Sequence, residues 1–276
     1  MSKRILLEKR KCFITLSFDD GYKETMDNVL PLLNKLGIKA SFNVITGLIG
    51  KKLEGKELAN WNDLEEVVNN GHEICSHSVS HAMLNPTLRT KFGRLSNGFV
   101  HSSNKFQFLK RSINFYKETK NKNTINIHQF EEEVKRSKED IESMLNTTCV
   151  SFVYPHGNYT EAAKDIIKKC GYTSARSSNI GFNDFFDFDE FCLKVQQWDK
   201  YTSVSEANRW VDKAERNSLW LIECLHLVTK NDDEYSFHTK LHDLESHLKY
   251  LKEKKNCEIN TQKAVMFTLR KEYNEV

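Results

Sequence analysis

The sequence has few of the residues that break or staple a chain. Three prolines and eleven glycines in 276 residues exclude a collagen-like or proline-rich extended protein. No stretch approaches the about 20 consecutive apolar residues that cross a bilayer, so no membrane span is expected. The N-terminus, MSKRILLEKRKC, offers only Ile5, Leu6 and Leu7 before charge returns, against the roughly 7–15 apolar residues of an export signal. A cytoplasmic location is the expectation. An excess of one charge is missing too: 41 basic against 38 acidic side chains leave +3, which gives no reason to expect nucleic acid as a partner. The seven cysteines are odd in number, dispersed and contain no C-x-x-C pair. They are expected as free thiols of a reducing compartment, with Cys75, Cys149 and Cys224 acting as small buried hydrophobes rather than disulfide partners.

What the chain does have is alternation. With 39% hydrophobic and 29% charged residues, apolar β-branched or aromatic runs alternate with longer amphipathic stretches, the pattern of βα units around a parallel sheet or barrel. Strands are expected near Cys12–Phe18, Lys39–Val44, His72–Ser76, Cys149–Tyr154, Tyr172–Ala175, Leu193–Gln197, Leu219–Leu225 and Cys257–Ile259. Helical spacing marks Thr25–Leu36, with Gly37 placed as a C-terminal cap. The same spacing recurs at Asn62–Val68, Phe130–Leu145, Glu161–Lys169, Ser205–Ala214, His238–Lys254 and Thr261–Lys271. No internal repeat interrupts it, and one domain over 1–276 is expected. One segment, Leu84–Asn126, breaks the rhythm and looks inserted. Within Asn85–Ile125, nine Lys or Arg face one acid, Glu118.

The polar residues that directly follow the apolar runs form a chemical set, because the active site of a βα barrel lies at the C-terminal ends of its strands. Asp19-Asp20-Gly21 follows the first run, His77-Ser78-Val79-Ser80-His81 the third, Pro155-His156-Gly157-Asn158-Tyr159 the fourth, and His226 the seventh. Asp20, His77 and His81 make a two-histidine, one-carboxylate ligand set of the kind that leaves positions open for water and substrate. The i, i+4 histidines can reach one ion if the chain turns helically there. The neighbouring Asp19 is placed to take a proton from an attacking water, and His226 to protonate a leaving nitrogen. Taken singly, each feature is more often bland: Asp-Asp-Gly a turn, H-x-x-x-H a solvated helix face, Pro-His-Gly a loop, His226 a satisfied strand-end histidine. Their joint occurrence at strand ends has no structural requirement behind it.

On these residues the sequence resembles the polysaccharide deacetylase family, the NodB homology domain or carbohydrate esterase family four. Ser17-Phe18-Asp19-Asp20-Gly21 corresponds to its T-F-D-D-G motif, and His77-Ser78-Val79-Ser80-His81 to H-[ST]-x-x-H. His226, after Leu221 to Leu225, falls on the family's catalytic histidine. The resemblance implies a distorted, incomplete (β/α) barrel of about seven parallel strands. It also implies one divalent transition metal, zinc first with cobalt, nickel or iron able to use the same ligands, and removal of N-acetyl groups from a sugar. The R-P-P-Y-G motif departs to Val153-Tyr154-Pro155-His156-Gly157. His156 stands in the position whose backbone N–H helps hold the oxyanion in the family, and Arg176 with Asp199 is expected to replace the absent motif arginine. Pro155, His156, Tyr159 and Arg176 are therefore the expected substrate-binding residues.

Two alternatives stay open beside this reading. Family members also act on small cyclic amides and ureides. A non-catalytic carbohydrate-binding relative is the other, against which the retained Asp19, Asp20, His77, His81 and His226 argue. Without an export signal, the expected partner is a soluble precursor, nucleotide-linked or lipid-linked sugar rather than a wall polymer. The basic insertion is expected to form an anion-recognising rim beside His81, against the plainer possibility of a Lys-rich exposed loop with its own small aromatic core.

Overall fold

Mostly buried runs, most of them rich in β-branched and aromatic residues, form parallel strands that are covered by helices outside and by each other's side chains inside. In the computed structural model, which describes residues 12–84 and 124–274, they are β1 (Cys12–Phe18), β2 (Ser41–Val44), β3 (Glu73–Ser76), β4 (Ser151–Val153), β5 (Ser174–Ile180), β6 (Leu193–Gln197), β7 (Trp220–Leu225) and β8 (Cys257–Ile259). Strands β1 to β7 pair in sequence order, and β7 pairs back onto β1 from Phe13↔Trp220 to Phe18↔Leu225. The ring is closed, and its incompleteness is one of number, seven strands instead of eight. The last strand, β8, stays outside the ring. It shares one edge of β1 with β2, taking Cys12–Ile14 while β2 takes Ser17 and Phe18.

Among the described residues seven helices follow the strands: α1 (Lys23–Leu36), α2 (Trp61–Asn69), α3 (Ile127–Leu145), α4 (Glu161–Lys169), α5 (Val204–Asn217), α6 (Leu241–Glu253) and α7 (Gln262–Asn274). Their ends obey local chemistry. Gly37 closes α1 in left-handed backbone at φ 63°, and Asn60 with Asp63 and Asn126 with Gln129 make reciprocal capping boxes at the starts of α2 and α3. Helix α7 plugs the N-terminal end of the barrel. There the buried Glu73 carboxylate accepts from the Ser41 and Ser151 hydroxyls at 2.7 and 2.6 Å and from the Lys263 backbone N–H at 3.0 Å. Among the described residues no helix is long and apolar enough to cross a membrane.

Three expectations shift. The fifth strand does not stop at Ala175 but runs on to Ile180, because its polar residues all find partners there. Arg176 and Ser178 turn to Asp19 and the His156 carbonyl, while Ser177 and Asn179, on the alternate face, bond the Leu193 carbonyl and the Tyr159 hydroxyl. The helix expected from His238 starts at Leu241, since His238–Lys240 is drawn off to pair with Leu227–Thr229. The cysteine reading also needs correction: Cys12 and Cys257 are joined as a disulfide, while Cys75, Cys149, Cys170, Cys192 and Cys224 are free. The two are 245 residues apart yet become register partners on β1 and β8, a proximity that spacing in the sequence does not reveal.

Most of the basic insertion, residues 85–123, lies outside the described residues, and so does its expected anion-binding role. Its two flanks meet, Met83–Leu84 pairing in parallel with Thr124–Ile125. The cysteine pairing makes a direct expectation: titration of the denatured, unreduced protein with a thiol reagent gives five thiols, the number left unpaired, and seven only after reduction. Seven before reduction would contradict the pairing.

Candidate active site

All seven ring strands run the same way, so the residues that follow them meet at one mouth. Strand β1 delivers Asp19 and Asp20, β3 delivers His77 and His81, β4 delivers Pro155 and His156, and β7 delivers His226. The adjacent carboxylates go to different partners because Asp20 takes left-handed backbone at φ 69°. That conformation is uncommon for a non-glycine residue and clusters at functional sites.

Asp20 Oδ1 lies 3.6 Å from His77 Nε2 and 3.5 Å from His81 Nε2, and the two ring nitrogens are 3.1 Å apart. These separations fit the edges, roughly 3.3 Å, of a tetrahedron whose metal–ligand bonds are about 2.0–2.1 Å. The chemistry of the donors fits as well. His77 Nδ1 is 2.8 Å from the Val153 carbonyl, which can only accept, so Nδ1 carries the proton and Nε2 keeps its lone pair turned to Asp20. The two histidines do not come together through a helical turn, as expected from their spacing. The segment bends instead through left-handed Ser78 and His81, φ 66° and 58°.

That bend is held from outside. Glu133 of α3 accepts from the backbone N–H of Val79 and Ser80 at 2.9 and 2.8 Å. Thr46 and Gly47 donate their N–H groups to the carbonyls of Ser78 and Val79 at 3.1 and 2.9 Å. A Cβ on Gly47 would stand 2.6 Å from the Val79 oxygen, so glycine is required there by the closeness of the two backbones.

Asp19 is 5% exposed and has a cage of its own. Arg176 Nη2 donates to both carboxylate oxygens, 2.5 Å to Oδ2, and Asn43 Nδ2 donates to Oδ1 at 2.6 Å. The Cys224 thiol donates to Oδ2 at 3.4 Å, and His226 Nε2 lies 3.8 Å from the same oxygen. Burial alone would raise the Asp19 pKa, but Arg176, His226 and His77 override it and hold the carboxyl far below the usual range. Burial likewise pushes the Cys224 thiol well up, so the sulfur stays protonated. Asp19, Cys224 and His226 also cluster closely enough to be weighed as a metal group. The guanidinium bonded to Asp19, and at 3.5 Å to Cys224, sets a positive charge against that cluster, which opposes a cation there. Asp20, His77 and His81 are left as the group that fits one.

The remaining expected residues divide. His156, left-handed at φ 55°, sets its ring 4.3 Å from that of His81 and its Nε2 3.2 Å from the His81 carbonyl. Pro155 begins the single turn that carries it. Arg176 is 2% exposed, and its charge is committed to Asp19 rather than presented to a substrate. Tyr159 receives a hydrogen bond from Asn179 at 3.1 Å and has Lys164 over its ring; neither belongs to the metal or carboxylate groups. Asp199 caps its own turn through the Tyr201 N–H and the Thr202 hydroxyl. Sequence reasoning missed Asn43, Glu133, Cys224 and Gln197. Asn43 left a signal, a lone amide in the buried strand Ser-Phe-Asn-Val, and Cys224 stands two residues before His226, on the same face of β7.

The Asp19–Arg176 pair generates a stability expectation. Arg176→Met leaves a buried carboxylate without its cation, which costs about 3–5 kcal/mol, measured as urea unfolding of the metal-free protein at neutral pH. Adding Asp19→Asn in the same chain removes the stranded charge and recovers part of that loss. A double variant no more stable than Arg176→Met alone would contradict the pairing. Because the folded-state pKa of Asp19 is depressed, its contribution is present above the unfolded carboxylate value of about 3.9 and is lost as pH falls toward the folded value.

Comparison with known proteins places this geometry. The polysaccharide deacetylase family model matches residues 7–175. The Bacillus subtilis (strain 168) protein YxkH, a polysaccharide deacetylase by assignment, is 33% identical over 75 residues, which is 27% of this chain and 25% of that protein. The chain thus aligns with about a quarter of that relative's length. Two solved structures share the fold at low identity. A Mycobacterium smegmatis protein assigned to the polysaccharide deacetylases matches at TM-score 0.60 and 9% identity, over 96% of this chain and 92% of its own. A T48 deacetylase determined with substrate matches at TM-score 0.53 and 17% identity, over 95% and 93%. With the family model spanning more than half of the sequence, the chain belongs to the polysaccharide deacetylase family.

Proposed function

We propose that this chain is a divalent-metal-dependent hydrolase that removes N-acetyl groups from a sugar or a sugar-containing precursor. The observation that carries the reading is the placement, side by side, of a three-ligand group (Asp20, His77, His81) and a separate carboxylate, Asp19, with His226 within 4 Å of it. Asp20, His77 and His81 would hold the ion, zinc first and cobalt, nickel or iron by the same ligands. When bound, such an ion supplies Lewis acidity to the acetyl carbonyl and to an attacking water.

The chain's own residues account for the proton movements of amide hydrolysis. Asp19 accepts the proton of the attacking water as its oxygen bonds to the acetyl carbon. Arg176 keeps Asp19 ionised, so the base is ready at neutral pH but binds its proton weakly and can pass it on. His226 delivers a proton to the sugar nitrogen as the C–N bond breaks, giving acetate and a free amine. Its ring is stacked on Phe237 at 5.1 Å, which limits its rotation. The His156 backbone N–H, in the position the family uses for it, is the proposed oxyanion donor, and Pro155, His156 and Tyr159 form the substrate side of the mouth.

The basic insertion supports an anionic partner, such as a nucleotide-linked or lipid-linked acetylated sugar. Its flank at Leu84 is tied to the turn after His156 by the Asn158 amide, 2.5 Å from the Leu84 carbonyl, so one end of the insertion stands beside the proposed substrate side.

Metal-loaded protein is expected to release acetate from one or more members of a panel of N-acetylated sugars and nucleotide sugars, and to leave cyclic ureides unopened. Asp19→Asn and His226→Ala each lower turnover by roughly 100-fold or more with metal content retained, whereas His77→Ala with His81→Ala removes the metal. Ring opening without acetate release would replace the sugar reading by the cyclic-amide one, and loss of metal from Asp19→Asn would overturn the division of labour between the two aspartates.

A further inference from the structure

His226 is held on more sides than a strand-end histidine requires. Its backbone carbonyl accepts from the Thr25 hydroxyl at 3.0 Å, its ring lies on Phe237, its Nε2 faces Asp19, and its Nδ1 is 3.3 Å from Gln197 Nε2. The last contact follows from sheet register. Gln197, the final residue of β6, is the partner of Cys224 on β7, and His226 stands two residues beyond Cys224 on the same side.

The orientation of the Gln197 amide is not arbitrary. Its Nε2 also donates to the Trp198 carbonyl at 2.9 Å and lies 3.2 Å from the Cys224 carbonyl, which already accepts from the Trp198 N–H at 2.9 Å, so the second amide hydrogen is shared between that carbonyl and His226 Nδ1. Both carbonyls are pure acceptors, and turning the amide over would set Oε1 against two carbonyl oxygens. The NH2 end therefore faces His226, and a proton on Nδ1 would meet another N–H. In neutral imidazole one nitrogen donates and the other accepts, so an accepting Nδ1 places the proton on Nε2.

We propose that Gln197 is a positioning residue whose amide holds neutral His226 as the Nε2–H tautomer, with that N–H turned toward Asp19 and the reacting end of the site. The proton then sits on the ring nitrogen that faces the chemistry, the one His226 gives up is replaced at Nε2 by the proton Asp19 takes from water, and the opposite nitrogen is fixed by an amide rather than by a carboxylate. This deepens the role given to His226 above, and its test does not depend on turnover, so the two fail separately.

The test is long-range proton–nitrogen NMR on the zinc-loaded full chain with labelled histidine, at a pH where imidazole is neutral. The signals of His226 are identified by their loss in His226→Gln. Nε2 protonated and Nδ1 bearing the lone pair is the expected pattern. Gln197→Glu, which sets an acceptor opposite Nδ1, is expected to move the proton to Nδ1 and to lower kcat roughly 10- to 100-fold with KM held, within what a positioned acid contributes. A protonated Nδ1 in the unaltered neutral protein, or the same tautomer in the Gln197→Glu variant, would overturn the proposal. If that variant fails to fold, the spectrum of the unaltered protein decides alone.

Discussion

The site depends on one buried ion pair, Arg176 with Asp19. Two aspartates one residue apart at the end of a buried strand are a liability, because each raises the other's proton affinity and both compete for any cation nearby. A guanidinium that donates to both oxygens of Asp19 removes the competition. Asp19 is held ionised although buried, its charge is balanced locally, and the guanidinium opposes a cation beside it. Asp20 is left to face two imidazoles whose donor nitrogens are 3.1 Å apart. The cation needed for this arrangement comes from β5, on the wall of the barrel, rather than from the motif after β4.

The second constraint lies in the backbone. Asp20, Ser78, His81 and His156 all have positive φ, each at a cost of order 1–3 kcal/mol, and all four stand at the mouth. They persist because their surroundings leave little choice. Glu133 and the Thr46–Gly47 backbone clamp the histidine bend, the Val153 carbonyl fixes the His77 ring, and Gly157 packs against Ser178 with no room for a Cβ. Helix α3, which supplies Glu133, begins where the basic insertion ends, so the His77–His81 bend and the return of the insertion to the barrel are anchored by the same element.

Much of this is written in the sequence because it rests on local pattern. Among the described residues the eight strands of the main sheet and the seven helices follow apolar runs and helical spacing, and Asp19, Asp20, His77 and His226 follow their strands directly. What was hidden depends on three-dimensional register. Cys12 and Cys257 become neighbours only when β8 pairs with β1. The strand continues past the apolar run Tyr172–Ala175 because the polar residues from Arg176 to Asn179 each find a partner on alternate faces, Asp19, the Leu193 carbonyl, the His156 carbonyl and Tyr159. Gln197 and Asn43 are single amides whose importance comes from what stands across the sheet. The spacing of His77 and His81 correctly pairs them, although a left-handed bend and not a helix does the pairing.

The central claim is that the metal binds Asp20, His77 and His81 while the Asp19–Arg176 pair excludes it from the neighbouring Asp19–Cys224–His226 cluster. X-ray absorption at the zinc edge, on protein loaded with one equivalent of zinc, tests this most directly. The account predicts a first shell of nitrogen and oxygen only, at about 2.0–2.1 Å, with the outer scattering of two imidazole rings. A sulfur neighbour at about 2.3 Å would place the ion against Cys224 and contradict it.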